Sequence, residues 1–176
     1  GDPWQKHGLQ ASAADRVEMV RRAFEGQAIR ITIDTQEIER AGATYSIDTL
    51  RAVRAEVGAE TCLLFLLGAD QLQQLDTWQS WRELFDYAHL CVASRPGFEL
   101  DAAQLPSVVT NEFSRRKASA EQIRATPHGG AYLATGLAVD VSATAIRAAL
   151  QRGERPGSLV PSGVLDYIQQ HHLYQA

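Results

Sequence analysis

A run of six apolar residues, CLLFLL at positions 62–67, most constrains how this chain can fold. The run contains no polar position, and Gly68-Ala69-Asp70 closes it with turn-forming residues. A short strand without alternation is typical of a parallel sheet that helices cover on both faces. We therefore predict that residues 62–67 form a strand buried on both sides.

Other segments predict strands and helices in alternation. Residues 29–33 alternate apolar and polar side chains, and residues 90–93 form a second apolar strand. Two short strands around a turn are expected at residues 132–134 and 137–139. Capping residues and a proline predict helix starts at Ser12, Ser46, Ser142 and Pro161. A further helical stretch is expected over residues 78–85. This order predicts an α/β fold with a doubly wound parallel sheet.

Size and composition exclude several classes of protein. The 176 residues suit a single domain over residues 1–176, with 141–176 as its C-terminal helical part. A net charge of −4 is too mild for a nucleic-acid-binding surface, and no apolar run approaches the roughly 20 residues of a membrane span. Cys62 and Cys91 lie in apolar runs, which predicts reduced core residues of a cytoplasmic protein. No metal-ligand spacing of His or Cys is present, so no protein-bound metal is predicted.

Ligands of doubly wound sheets bind beyond the carboxyl ends of the strands, which directs attention to Asp70, Arg95 and Ser142. Ser142 is predicted to open a helix, whose free N–H groups and positive dipole end suit a phosphate. Thr144 adds a hydroxyl, and Arg147 is placed to reach back toward the same anion. The alternative is an N-capped surface helix with a solvated arginine.

Two more groups of residues could bind a nucleotide. Gly68 would let a ligand approach the strand end, and Asp70 could accept ribose hydroxyls; the alternative is a turn with a helix-capping Asp. Trp78 and Trp81 are three residues apart, which predicts that they share a helix face. An exposed indole could stack on a planar ring whose carboxylate the Ser46 hydroxyl binds; the alternative is that both tryptophans are core residues.

Taken in order, these segments resemble the nicotinate-nucleotide adenylyltransferases. Gly1 to His7 (GDPWQKH) is similar to the loop after their second strand, and TYSIDTL at 44–50 is similar to their TYTxDTL segment, with Ser46 in place of threonine. GADQ at 68–71, Trp78 with Trp81, and SRPG at 94–97 match further family segments. VSATAIR at 141–147 resembles their ISxTxIR signature, and residues 161–167 resemble the C-terminal helix.

The resemblance implies a Rossmann-like nucleotidyltransferase fold and transfer of the adenylyl group of ATP to nicotinate mononucleotide, with Mg²⁺ accompanying ATP. By the same analogy, the residues expected to bind ATP are Gly68, Asp70, Ser142, Thr144 and Arg147. Those expected to bind nicotinate mononucleotide are Ser46, Trp78, Tyr45, Lys6 and Arg95. The sequence does not indicate the oligomeric state.

One family feature has no counterpart in residues 1–176. The first strand of these enzymes carries a glycine-rich stretch and an H-x-G-H pair that binds the ATP phosphates, and no histidine here has that spacing. We therefore expect that the native protein has a preceding β-α-β unit, and that this chain alone binds nucleotide without turnover and contains no catalytic histidine pair. The alternatives within enzymes are adenylyltransferases acting on nicotinamide mononucleotide or pantetheine phosphate.

Overall fold

A computed structural model describes residues 2–3, 11–94, 104–134 and 141–174. These residues form two compact units, and each is described by itself below. Unit 1 comprises Gly1–Ala43 and Asp140–Ala176, and unit 2 comprises Thr44–Val139. Helices predominate in unit 1, whereas unit 2 contains the main sheet.

The helices and strands alternate along much of the chain. The strands are β1 (Asp2–Pro3), β2 (Ala43–Thr44), β3 (Leu64–Gly68), β4 (His89–Ala93) and β5 (Ala131–Ala134). The α-helices are α1 (Ala13–Ala23), α2 (Gln36–Glu39), α3 (Ser46–Val57), α4 (Leu84–Tyr87), α5 (Ser107–Arg116), α6 (Ala120–Ala125), α7 (Ala143–Gln151) and α8 (Ser162–Gln170). Two 3₁₀ helices cover Ala69–Thr77 and Trp81–Glu83.

Unit 2 is organised around a parallel sheet with the strand order β3-β4-β5. Leu64 pairs with His89 at one end of β3, and Gly68 pairs with Ala93 at the other. Ala93 in turn pairs with Ala134, so the three strands finish in register. The core formed by α3, α4, α5, the first 3₁₀ helix and the sheet contains Ile47, Leu50, Leu72, Leu75, Leu84, Phe85, Leu90, Val92, Val109 and Phe113.

The predicted strands are confirmed at β4 and β5, but the expectation that residues 62–67 are buried on both faces is wrong. Leu66 is 73% exposed and Leu64 is 44% exposed, whereas Leu67 is buried. Side chains alternate between the two faces of a strand, so Leu64 and Leu66 point to one face, and in the part of the chain that the structure describes this face of β3 is open. β3 is also the edge strand of the described sheet. An apolar run indicates that a strand can be buried, but it does not determine which faces of the strand other elements cover.

The strand predicted at residues 29–33 is absent: these residues have no regular secondary structure. Ile29 is 65% exposed and Ile31 is 39% exposed. Period-two alternation is a pattern of side chains, but a strand also needs a partner for its N–H and C=O groups, and no described residue pairs with this segment. The strand predicted at residues 137–139 lies outside the described residues.

Arg54 of α3 connects the segments that lead into the sheet. Its guanidinium donates to the Tyr87 carbonyl at 2.6 and 2.9 Å, just before β4, and to the Pro127 carbonyl at 2.9 Å, before β5. It also donates to the Gly58 and Thr61 carbonyls, at 2.8 and 2.6 Å, between α3 and β3. A planar group with five donors can satisfy several carbonyls at once, which an ammonium group at the same place cannot do.

In unit 1, α1 begins with the predicted capping box: the Ser12 hydroxyl accepts from the Asp15 N–H at 3.1 Å, and the Asp15 carboxylate accepts from the Ser12 N–H at 3.2 Å. The Tyr167 hydroxyl of α8 donates to the same carboxylate at 2.9 Å. The hydrogen bonds from Ser12 and then Tyr167 lower the pKa of Asp15, and the bond to Asp15 raises the pKa of Tyr167. Both shifts indicate a bond that favours the ionised carboxylate and the protonated phenol.

Neither cysteine forms a disulfide: Cys91 is buried as predicted, whereas Cys62 is only partly buried. The Cys62 thiol donates to the Ile123 carbonyl at 3.2 Å, and burial raises the pKa of Cys91. In the part of the chain that the structure describes, no helix has both the length and the apolar character required to cross a membrane.

Replacing Arg54 by lysine should destabilise unit 2 by about 2 kcal/mol, because an ammonium group cannot serve the partly buried Tyr87 and Pro127 carbonyls and the Gly58 and Thr61 carbonyls at once. Urea unfolding followed by tryptophan fluorescence measures the change. Arg51→Lys on the same helix is the control, since Arg51 is exposed and pairs with Glu83 at the surface; its cost should stay below about 0.5 kcal/mol. Equal midpoints for the two variants would contradict the assigned role of Arg54.

Candidate nucleotide-binding site

At the carboxyl edge of the sheet, the structure places Gly68 from the set of residues selected from the sequence, with Asp70 two residues beyond it. Gly68 ends β3, and Ser94 follows β4 directly. The buried Ser94 donates to the Ala134 carbonyl at 3.2 Å from both its N–H and its hydroxyl, which fixes the end of β4 beside the end of β5. Arg95 and Lys6, which the family resemblance places near the substrate, lie outside the described residues.

Gly68 and Asp70 form a close intramolecular contact. Gly68 has φ −74° and ψ 148°, which any residue can adopt, so its backbone does not require glycine. A Cβ at this position would overlap Asp70 Oδ1 and lie 3.6 Å from Asp70 Cγ. In this structure the Asp70 carboxylate therefore occupies the space above Gly68, and the approach of a ligand to Gly68 stays a prediction.

Asp70 is exposed and lies in the first turn of the 3₁₀ helix Ala69–Thr77. Its side chain does not cap that helix, so the alternative of a helix-capping aspartate is wrong. Instead, its Oδ2 accepts from Gln71 Nε2 at 3.0 Å. Nine residues of 3₁₀ helix are more than the usual three or four.

Tyr45 and Ser46 occupy the start of α3. Ser46 was expected to be the N-cap, but it is the first helical residue, and Tyr45 takes the cap position without a side-chain hydrogen bond to the helix. The difference is one residue, and Ser46 remains partly buried at the first turn. Its hydroxyl therefore stands beside the N–H groups of the helix terminus, where a negative charge is favoured.

The expectation that Trp78 and Trp81 share a helix face is wrong, as is the continuous helix over residues 78–85. Trp78 ends one 3₁₀ helix with ψ 141°, and Ser80 takes the left-handed region at φ 50° before the next begins at Trp81. Trp81 is buried in the core. Trp78 is partly buried, and its ring centroid lies 6.4 Å from that of Phe65.

The indole Nε1 of Trp78 is buried without a hydrogen-bond partner among the described residues. Its ring packs against the core cluster of unit 2. Trp81 is thus a core residue, as the alternative interpretation expected for both tryptophans, whereas Trp78 retains partial exposure.

In unit 1, the helix predicted at Ser142 is confirmed as α7, with Ser142 at the N-cap. The Ser142 hydroxyl accepts from the Ala145 N–H at 3.4 Å, which is long for such a bond. Thr144 and Arg147 are exposed. Arg147 has no hydrogen bond or ion pair with another described residue, in contrast to Arg152 at the other end of α7, which pairs with Glu154.

The first turn of α7 is therefore exposed. The Arg147 guanidinium, three residues beyond Thr144, has no partner among the described residues. Two surface hollows in unit 1 are lined by other residues, one by α1 with residues 31–38 and the other by the end of α7 with α8. Among the described residues, no group of three or more His, Cys, Asp or Glu side chains is arranged to hold a metal ion.

Comparison with known proteins identifies the family. The family described as cytidylyltransferase-like matches residues 1–149. A probable nicotinate-nucleotide adenylyltransferase of Herminiimonas arsenicoxydans is 65% identical over 176 residues, which is 100% of this chain and 80% of the relative. The chain belongs to the nicotinate-nucleotide adenylyltransferase family. A second relative of that name, from Laribacter hongkongensis, is 44% identical over 178 residues, covering 100% of this chain and 78% of its own length.

Solved structures confirm the nucleotidyltransferase fold. The nicotinic acid mononucleotide adenylyltransferase of Plasmodium falciparum complexed with NaAD superposes with a TM-score of 0.63 at 13% identity, covering 98% of this chain and 78% of that one. The same enzyme complexed with APC gives a TM-score of 0.60 at 14% identity, with 92% and 75% covered. At this identity the likeness concerns the fold. As a member of the nicotinate-nucleotide adenylyltransferase family, this protein is a nucleotidyltransferase with a Rossmann-like α/β fold.

Replacing Gly68 by alanine should displace the Asp70 carboxylate while changing the free energy of unfolding by less than about 1 kcal/mol, because the backbone angles suit alanine and the crowded atom ends a movable side chain. A crystal structure of the variant and urea unfolding measure the two effects. Gly58→Ala is the matched control: Gly58 has φ 86° and ψ 162° with open space around it, so alanine there should cost about 1–3 kcal/mol through backbone strain and leave Asp70 in place. An unmoved carboxylate in Gly68→Ala would refute the contact.

Proposed function

We propose that this protein transfers the adenylyl group of ATP to nicotinate mononucleotide, giving nicotinate adenine dinucleotide and pyrophosphate, a step of NAD biosynthesis. The observation that carries the proposal is the 65% identity to a probable nicotinate-nucleotide adenylyltransferase over the whole chain. In this reaction a phosphate oxygen of the mononucleotide forms a bond to the α-phosphorus of ATP. The bond from that phosphorus to the oxygen bridging to the β-phosphate breaks, and pyrophosphate leaves.

The α7 terminus is proposed to bind phosphate oxygens of ATP. Exposed N–H groups at a helix start attract an anion, and the Thr144 hydroxyl adds a donor. Arg147 is exposed and without a partner among the described residues, so its guanidinium is available for charge-assisted hydrogen bonds. Ser142, as the N-cap, supports phosphate binding because it determines where α7 begins.

The carboxyl edge of the sheet is proposed to bind the nucleoside part of ATP. The Asp70 carboxylate is exposed and held against Gly68, so it presents acceptor oxygens suited to ribose hydroxyls. For the mononucleotide, Ser46 is proposed to donate to the nicotinate carboxylate at the start of α3. The partly exposed Trp78 ring is proposed to stack on the pyridine, and Tyr45 is assigned to the same ligand beside Ser46.

Mg²⁺ is proposed to arrive with ATP, since this ion is commonly bound through substrate phosphates with few protein ligands. When bound, it would neutralise charge on the phosphates. The protein's own contribution is then to position two reactants and to stabilise the charge that develops, which requires no covalent nucleophile. A cytoplasmic location is also proposed, in agreement with two free cysteines.

The proposal is tested by incubating the protein expressed from its complete gene with ATP, Mg²⁺ and nicotinate mononucleotide, and by measuring dinucleotide and pyrophosphate. Equimolar formation of both is expected, with a higher kcat/KM for nicotinate than for nicotinamide mononucleotide. A preference for the amide, or for pantetheine phosphate, would replace the proposed substrate. Absence of adenylyl transfer to all three acceptors would overturn the function itself.

Arg147→Met should raise the KM for ATP about 10- to 100-fold, because one charge-assisted contact to phosphate contributes about 1.5–3 kcal/mol. The KM for nicotinate mononucleotide should change much less. Arg152→Met removes the same charge from the other end of α7, where Arg152 already pairs with Glu154, and should leave the KM for ATP within about twofold. Equal effects of the two substitutions on the KM for ATP would show that Arg147 acts only through its positive charge and not through a specific contact with phosphate.

A further inference from the structure

Both oxygens of the Asp70 carboxylate have defined neighbours within the chain. Oδ1 lies over Gly68, in the space that a side chain at position 68 would occupy. Oδ2 accepts a hydrogen bond of 3.0 Å from Gln71 Nε2. A carboxylate only accepts hydrogen bonds, so the Gln71 amide must present its NH₂ group to Asp70 and not its oxygen. The pair therefore has one chemically consistent arrangement.

This arrangement matters because Asp70 is exposed. A free aspartate on a surface samples several rotamers, and a ligand that binds it must select one of them. The hydrogen bond from Gln71 favours one of them, and the absence of a side chain at Gly68 leaves room for that orientation. Gln71 itself is partly buried, and it directly precedes the core residue Leu72 on the 3₁₀ helix.

We propose that Gln71 is a positioning residue that orients the Asp70 carboxylate toward the ribose hydroxyls of ATP. The proposal rests on the proposed function, because it takes the binding of nucleotide by Asp70 as its starting point. Gln71 acts through Asp70 and needs no contact with the nucleotide. Its loss should therefore weaken ATP binding without altering the binding of the second substrate or the chemical step.

The test compares substitutions at two glutamines of the same 3₁₀ helix in the enzyme expressed from its complete gene. Gln71→Met removes the donor at similar side-chain length, and Gln71→Arg restores an N–H donor. Gln73→Met is the matched control, since Gln73 is exposed and two residues further from Asp70. The KM for ATP, the KM for nicotinate mononucleotide and kcat are measured for each, and ATP binding is measured by calorimetry.

Gln71→Met should raise the KM and the Kd for ATP about three- to tenfold, the effect of one hydrogen bond to an exposed carboxylate. The KM for nicotinate mononucleotide and kcat should stay within about twofold, Gln73→Met should match the parent, and Gln71→Arg should recover most of the loss. In an Asp70→Ala background, Gln71→Met should have no further effect on the Kd for ATP.

Two results would overturn the assignment of Gln71: an unchanged KM for ATP in Gln71→Met, or a loss of ATP affinity that persists undiminished in the Asp70→Ala background. A parent enzyme that fails to bind ATP would instead overturn the proposed function, and the assignment with it. The two failures are distinguished by the calorimetry of the parent alone.

Discussion

The guanidinium of Arg54 determines how unit 2 is assembled, because it joins segments that are distant in sequence. Its acceptors precede β3, β4 and β5, and the last of them, Pro127, is 73 residues further along the chain. The Leu63 N–H donates to the same Pro127 carbonyl at 3.0 Å, and the His89 N–H donates to the Leu63 carbonyl at 2.8 Å. The amino ends of three parallel strands are thus fixed together. Since the strands are of nearly equal length, their carboxyl ends are also brought into line.

His89 adds a second buried polar anchor at the same amino edge. Its Nδ1 accepts from the Gly130 N–H at 2.9 Å, so Nε2 carries the proton and donates to the Thr126 carbonyl at 2.8 Å. Polar groups at this edge are therefore committed to one another. At the carboxyl edge, by contrast, Asp70 keeps exposed acceptor capacity. The arrangement at the amino edge, together with the two hydrogen bonds from Ser94 to the Ala134 carbonyl, fixes the register of the sheet, and the exposed Asp70 carboxylate takes no part in it.

The parts of the fold that follow from local chemistry could be predicted from the sequence. The capping box at Ser12 and the N-cap at Ser142 are such cases, since the side chain and the N–H it accepts from lie within three residues. Predictions failed where the outcome depends on distant partners or on uncommon backbone angles. The segment 29–33 has strand periodicity but no partner among the described residues, and the left-handed Ser80 divides a helix that side-chain spacing alone would continue. The hydrogen bonds from Arg54 to backbone carbonyls could not be predicted either, because every residue has a carbonyl and the sequence does not indicate which of them lies near the guanidinium.

The candidate site shows the same limit at the level of a single motif. Glycine after a strand indicated that something approaches the backbone closely, and the sequence offered a ligand as the occupant. The occupant in the structure is the side chain two residues later, Asp70. The small residue at position 68 leaves room for the orientation of the Asp70 carboxylate that accepts the hydrogen bond from Gln71. Glycine here contributes volume and not backbone freedom, in contrast to Gly58, whose φ of 86° ends α3. The two glycines on either side of β3 therefore have distinct physical roles: Gly58 supplies backbone freedom at the end of α3, and Gly68 supplies space at the end of the strand.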